Sequence, residues 1–289
     1  MKSICILLTD HQSINDLILL KSYNRLKKNR LHRIYFIGDK KKFKNAFNIS
    51  KKIKKIFFLN IQKKISNFEY LNKITDCGID LFNKRKINFL INMPLNKSRY
   101  LGSKFEGFTE FFSYKIDKKK TMENMLLYNR NFSVCPLTTH VEIKNIEKLI
   151  TKRRIIKTVL NIKNFFTKNN KKINIEILGL NPHAGKDFKN NTIEKKIIIP
   201  AIKTLNKSKK FVSGPKSADT AFEKPNGKVY LGMYHDQVLI PFKTINKFDG
   251  INITIGKKLI RMSPDHGTGE NIKKKNKINN KSFLNCINF

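Results

Sequence analysis

Residues 173–187 (Ile-Asn-Ile-Glu-Ile-Leu-Gly-Leu-Asn-Pro-His-Ala-Gly-Lys-Asp) run an alternating apolar strand straight into a turn that carries a histidine. Ile173, Ile175 and Ile177 alternate with polar partners and lead into Leu178-Gly179-Leu180, the pattern of a largely buried strand. Asn181-Pro182 stops it, because proline donates no ladder hydrogen bond and restricts the residue before it. Ala184 and Gly185 keep the backbone around His183 uncrowded. The same device occurs twice more: residues 132–139 end in His140, and residues 228–234 end in His235. In open α/β sheets ligands gather outside the carboxyl ends of strands, so three such ends can bring three imidazoles to one place. Three neutral histidines with further positions open suit a divalent catalytic metal, whereas each taken alone is more often a hydrogen-bonded structural residue.

The N-terminal third alternates strand and helix patterns. Apolar runs at Ser3–Leu8, Arg33–Gly38, Ile56–Leu59 and Ile87–Met93 are predicted strands, and Ile14–Asn29 and Tyr70–Phe82 have helical spacing. Such alternation argues for a parallel or mixed sheet covered by helices, an α/β fold. Further on, Ile143–Phe166 reads as one or two helices. Ile193–Leu205 is helical in spacing, with Pro200 expected to kink or end it. No Pro/Gly-rich linker divides the 289 residues, so lobe boundaries are not drawn from the sequence.

The 60 Lys+Arg against 21 Asp+Glu give a formal net charge of +39, which by itself suggests nucleic acid or an anionic membrane. Only nine of those residues are arginine, the side chain that specific phosphate and base readers favour. The lysines are spread among Asn, Ile and Phe along the whole chain, a pattern of drift towards A/T-rich codons as in a reduced bacterial genome. A solvated surface is the reading preferred over a nucleic-acid face. Cys5, Cys77, Cys135 and Cys286 form no Cys-x-x-Cys and read as reduced thiols. The short apolar run at residues 4–8 is too brief for a signal core, and no stretch reaches the ~20 apolar residues of a spanning helix. A cytoplasmic protein is expected.

Four motifs occur in order: Leu-Gly-Leu-Asn-Pro-His-Ala-Gly (178–185), Ser-Ala-Asp-Thr (217–220), Met-Tyr-His-Asp-Gln (233–237) and Asp-His-Gly-Thr (265–268). With these the chain resembles the 4-hydroxythreonine-4-phosphate dehydrogenase family of pyridoxal phosphate biosynthesis. The resemblance implies a two-lobed α/β/α sandwich of the isocitrate/isopropylmalate dehydrogenase-like type, with residues 1–289 forming one catalytic unit whose lobes flank a central cleft. It assigns His140, His183 and His235 as ligands of a divalent metal (Zn, Mg, Mn or Co). Thr109, Lys243, Asn252 and Arg261 fall at substrate contacts, and Asp219 and Lys243 are the catalytic candidates. No Gly-x-Gly-x-x-Gly follows a strand, so no Rossmann fingerprint is present. NAD or NADP is instead expected at the loop of His266, Gly267 and Thr268. The resemblance also implies a homodimer in which one metal histidine, expected to be His235, comes from the partner subunit.

The implied reaction is oxidation and decarboxylation of 4-phosphooxy-L-threonine to 3-amino-2-oxopropyl phosphate. Three readings compete with it: a related dehydrogenase of another phosphorylated hydroxy acid, a metal-binding protein with little activity, and a nucleic-acid-binding protein. Several positions depart from the family pattern. Residues 9–16 lack the glycine- and proline-containing loop expected after the first strand, and Gly269–Asn276 lacks the usual continuation. The short tail is expected to leave the final helix frayed or missing. Phe108 stands where the family has a substrate-contacting histidine. A phenyl ring offers no donor or acceptor, so Phe108→His is expected to raise kcat/KM roughly tenfold.

Overall fold

The strands form where apolar runs are too short for helices and too uniformly buried to face water. In the computed structural model, which describes residues 2–105, 107–117, 123–189, 191–256, 258–272 and 278–289, eleven strands are present among the described residues. They are β1 (Ile4–Leu7), β2 (Ile34–Gly38), β3 (Ile56–Asn60), β4 (Phe89–Asn92), β5 (Asn124–Tyr128), β6 (Ser133–Pro136), β7 (Ile175–Leu178), β8 (Val212–Lys216), β9 (Val229–Gly232), β10 (Ile251–Ile255) and β11 (Ile260–Pro264). β1, β2, β4, β6 and β9 are buried at every position, which explains their continuous rather than alternating hydrophobicity. The chain divides into two compact units. One takes the described residues of 1–121, 248–253 and 257–289, the other those of 122–247 and 254–256.

In the first unit the strand order is β3-β2-β1-β4-β11 and then residues 251–253 of β10, with β3/β2, β2/β1, β1/β4 and β4/β11 parallel. The helix Asn67–Asn83 is started by a capping box, Ser66 and Glu69 each bonding the other's backbone amide, and buries Tyr70, Leu71 and Ile74. The predicted helix over 14–29 is two helices, Asn15–Lys21 and Tyr23–Lys28. The break is at Ser22, whose hydroxyl donates to the Ile18 carbonyl at 2.8 Å. The final helix is formed: Lys281–Ile287 buries Phe283, Cys286 and Ile287 and packs on β11. Apolar burial holds it despite the short tail, which corrects the expectation of a frayed end. Residues 273–276 of the altered continuation lie outside the described residues.

In the second unit the order is β5-β6-β9-β7-β8, with β5/β6 antiparallel and β6/β9, β9/β7 and β7/β8 parallel. The helix Lys152–Lys168 is capped by the Thr151 side chain, buries Ile155, Val159, Ile162 and Phe166, and meets β5 where the Asn124 side-chain amide donates to Thr158 at 3.0 Å and the Tyr128 and Phe166 rings lie 6.2 Å apart. Pro200 does not end the segment after Ile193. A π-helical turn, Glu194–Ile198, precedes the helix Ile199–Leu205, so the proline falls in that helix's first turn, where no backbone donor is needed.

Candidate active site

Four neighbouring parallel strands of the second unit, β6, β9, β7 and β8, each end next to a polar residue. In that spatial order they lead into His140, His235, His183 and Asp219. The ring centroids of His140 and His235 lie 6.0 Å apart. His235 opens the helix His235–Asn246, and its Nδ1 is 2.7 Å from the Asp236 carboxylate. His183 pairs through Nδ1 with the Asp187 carboxylate, which holds its pKa above the ordinary value. A carboxylate on Nδ1 fixes the ring and leaves Nε2 as the outward nitrogen, as in carboxylate–histidine metal ligands. The donor set therefore suits a divalent ion. Among the described residues no three His, Cys, Asp or Glu side chains of one chain converge on a single point. Asp219 accepts a hydrogen bond from the Ser217 hydroxyl, which keeps its carboxyl below the ordinary range. Ser217 stands at the start of the four-residue helix Ala218–Ala221 but makes no side-chain cap.

The turn that presents His183 is strained, with His183, Ala184 and Gly185 at φ 49°, 55° and 72°. Left-handed backbone costs roughly 1–2 kcal/mol for each residue with a Cβ. Glu194, buried in the π-helical turn, supplies the compensation. Its Oε1 accepts from the amides of Leu180 and Asn181, both at 2.8 Å, and its Oε2 accepts from the Asn181 side chain at 3.0 Å. Burial pushes the Glu194 carboxyl up, but the hydrogen bonds from Asn181 and Leu180 outweigh it and hold it low. A Cβ on Gly185 would sit 2.6 Å from Glu194 Oε2, so glycine is required there on space as well as φ. Sequence reasoning missed Glu194. The available signal was a lone carboxylate entering an otherwise lysine- and isoleucine-rich helical stretch.

In the first unit Arg261, 3 % exposed, lies on β11 beside β4. Its Nε donates to the Asn92 side chain and its Nη1 to Thr109 Oγ1 at 3.4 Å. Burial pushes the guanidinium down to about 10. Thr109 is the second residue of the helix Phe108–Asp117 rather than its cap. Asn252, half-buried on β10, presents Oδ1 out of solvent with no protein partner among the described residues. In the second unit Lys243 is exposed, two turns along the helix that begins at His235. Phe108 corrects the expectation that its ring faces the substrate. It is 6 % exposed, packs at 5.5 Å from Phe111 and 6.2 Å from Phe112, and lies under the Arg261 guanidinium. With no polar edge to satisfy, the ring joins the apolar core.

The loop after β11 holds His266, half-buried, with Nδ1–H donating to the Gly267 carbonyl at 2.8 Å. Burial lowers its pKa, and Nε2 is out of solvent without a protein partner among the described residues. Gly267 has open space where a Cβ would stand, and the Thr268 carbonyl accepts from the Ile14 amide at 2.9 Å. The loop after β1, which lacks glycine and proline, is held by charge instead. Asp10, fully buried, accepts from Arg99 Nη1 at 3.2 Å and from the Asn96 and Gln12 amides. Arg99 Nη2 continues to Glu270 at 2.8 Å, which ties this loop to the one carrying Thr268.

The model of the family described as "Pyridoxal phosphate biosynthetic protein PdxA" matches residues 5–289. The chain belongs to this family. It is 32 % identical over 316 residues to the 4-hydroxythreonine-4-phosphate dehydrogenase of Sulfurihydrogenibium sp. (strain YO3AOP1), covering 99 % of this chain and 97 % of that one. It is also 39 % identical over 205 residues to the Aquifex aeolicus (strain VF5) protein of the same name, covering 70 % of this chain and 63 % of that relative. Its fold is that of the Klebsiella pneumoniae 4-hydroxythreonine-4-phosphate dehydrogenase crystal structure, with a TM-score of 0.79 at 22 % identity over 100 % of this chain and 98 % of that one. As a PdxA-family member the chain is an α/β dehydrogenase. No helix among the described residues is long and apolar enough to cross a membrane.

Proposed function

We propose that this PdxA-family chain oxidises the C3 hydroxyl of 4-phosphooxy-L-threonine with NAD or NADP. The C3–H leaves as hydride to the nicotinamide and the hydroxyl proton goes to a base. The resulting β-keto acid then loses CO2 and takes up a proton to give 3-amino-2-oxopropyl phosphate. The observation that carries this reading is the row of strand ends bearing His140, His235, His183 and Asp219 on adjacent parallel strands.

His140, His183 and His235 would hold a divalent ion (Zn, Mg, Mn or Co), which when bound supplies Lewis acidity to the reacting oxygen. Asp219, kept ionised by Ser217, is suited to hold the substrate ammonium. Lys243 is the candidate to accept and return the proton. Arg261 and Thr109 supply an anion contact in which arginine can bind two oxygens at once, and Asn252 Oδ1 is an acceptor for a substrate donor. His266, Gly267 and Thr268 are the candidate nicotinamide-cofactor contacts. Gly267 leaves the backbone open to a close-lying ligand.

A homodimer completes the reading. The family resemblance implies that a second copy supplies one of the three ligands, His235. Ile143, three residues after His140, and Ile240 and Ile245, on the helix that His235 opens, expose large apolar side chains that a second copy could cover, with Ile240 at 63 %. A coupled assay tests the proposal: NAD(P)H formation with 4-phosphooxy-L-threonine, each nucleotide and a divalent-metal series, beside other phosphorylated hydroxy acids. Turnover fastest with 4-phosphooxy-L-threonine supports it. Faster turnover of another phosphorylated hydroxy acid, or no NAD(P)H at all, overturns it.

A further inference from the structure

Past the end of β6 the Leu137 and Thr138 amides still bond the Gly232 and Met233 carbonyls, whereas past the ends of β9 and β7 the link from one strand end to the next is made by a side chain. Thr138, fully buried after β6, donates its hydroxyl to the Met233 carbonyl at 2.8 Å. Met233, which follows β9, donates its amide to Gln237 Oε1 at 2.7 Å. Gln237 Nε2 then donates to the Gly179 carbonyl, just past β7, at 2.7 Å. The amide's orientation is fixed by its partners, since Met233 offers only a donor and Gly179 only an acceptor. A side-chain amide thus takes the place of a peptide unit between two strands that have begun to part. Two residues after Met233 stands His235, and four after Gly179 stands His183.

We infer that Gln237 is a positioning residue: together with Thr138 it ties the His140 and His183 strand ends, which share one site, across Met233, and it fixes the start of the helix whose His235 serves the partner's site. The inference rests on the proposed histidine metal site. Only glutamine meets both demands. Asparagine is one methylene too short, and glutamate keeps the acceptor for Met233 but turns an acceptor towards the Gly179 carbonyl. Methionine keeps the length and loses both bonds.

The experiment titrates chelator-stripped protein with Co2+ and follows visible absorption, for wild type, Gln237→Glu, Gln237→Met, Thr138→Val and Thr138→Ser. Groups that orient metal ligands typically contribute 10–100-fold in affinity, so both Gln237 variants are expected to bind Co2+ at least tenfold more weakly. Thr138→Val, which keeps its backbone bond to Met233, is expected to lose less, and Thr138→Ser to retain wild-type binding. In the substrate assay the Gln237 variants are expected to lose kcat with little change in KM. Circular dichroism reports folding separately, and Gln237→Met serves if Gln237→Glu does not fold. Folded Gln237 variants that bind Co2+ as tightly as wild type overturn the inference while leaving the histidine site intact. Wild-type protein that binds no Co2+, or binds it equally without His183, overturns the site reading and the inference with it.

Discussion

The Arg261 guanidinium carbon lies 4.9 Å from the centroid of the Phe108 ring, with both side chains withdrawn from solvent. A desolvated cation over an aromatic face contributes on the order of 1–2 kcal/mol, and the ring also fills core volume against Phe111 and Phe112. Phe108→Leu is expected to lower stability by about 1–3 kcal/mol in urea denaturation. Phe108→His is expected to cost a similar amount, because it buries a polar ring beside a cation, and to give no tenfold gain in kcat/KM. A histidine variant as stable as wild type and ten times as active would show that the ring turns outward with substrate bound.

Arg261 is the buried cation of the proposed anion contact, and lysine cannot reproduce its fork. Loss of one hydrogen bond to a charged group costs about 1.5–3 kcal/mol, which corresponds to roughly 10–100-fold. Arg261→Lys is therefore expected to raise KM for 4-phosphooxy-L-threonine by at least about tenfold, with a smaller effect on kcat. Steady-state kinetics with an unchanged KM would remove Arg261 from the substrate contacts.

The four strands of the N-terminal third and the three strands that end in histidines were legible because a buried parallel strand is an uninterrupted apolar run and proline or glycine marks its stop, whereas β5, β10 and β11 were not read from the sequence. Three further things were not legible. The order β6-β9-β7-β8, which makes those ends neighbours, depends on long-range pairing that no local pattern encodes. The supports Glu194 and Gln237 act through backbone groups, so their partners carry no signature in sequence. Phe108 was assigned to the site by its motif, and its burial followed from neighbours at 111 and 112 whose packing only the folded chain reveals.

Glu194 has a carboxyl held below its ordinary 4.5, with burial opposing and the Asn181 and Leu180 hydrogen bonds prevailing. A depressed carboxyl contributes stability that is present above the unfolded value and is lost as pH falls through the folded one. Glu194→Gln is expected to reduce stability at pH 7 by about 1–3 kcal/mol and to flatten the loss below pH 4.5. Urea midpoints across pH 3–7 (approximate range set by that pKa) would refute this if the variant and wild type ran parallel.

His266 is lowered as well, from 6.5, but here burial is the cause and it favours the neutral ring despite the opposing Gly267 and Asp265 contributions. The unfolded chain then takes up the proton first, so this residue's contribution is full above pH 6.5 and declines as the pH drops below it. His266→Gln, neutral throughout, is expected to be relatively less destabilised at about pH 5 than at about pH 7.5. An identical pH slope in the two proteins would contradict a buried, neutral His266.

The measurement closest to the central claim is the metal dependence of NAD(P)H formation in chelator-treated wild type and in His140→Ala, His183→Ala and His235→Ala. Turnover of 4-phosphooxy-L-threonine is expected to return when Mg, Mn, Zn or Co is restored to wild type, and to stay at least about 100-fold lower in each variant, a loss of roughly 2.7 kcal/mol or more. Wild-type turnover indifferent to chelation, or any one variant that turns over at the wild-type rate with the same metal dependence, would contradict the account.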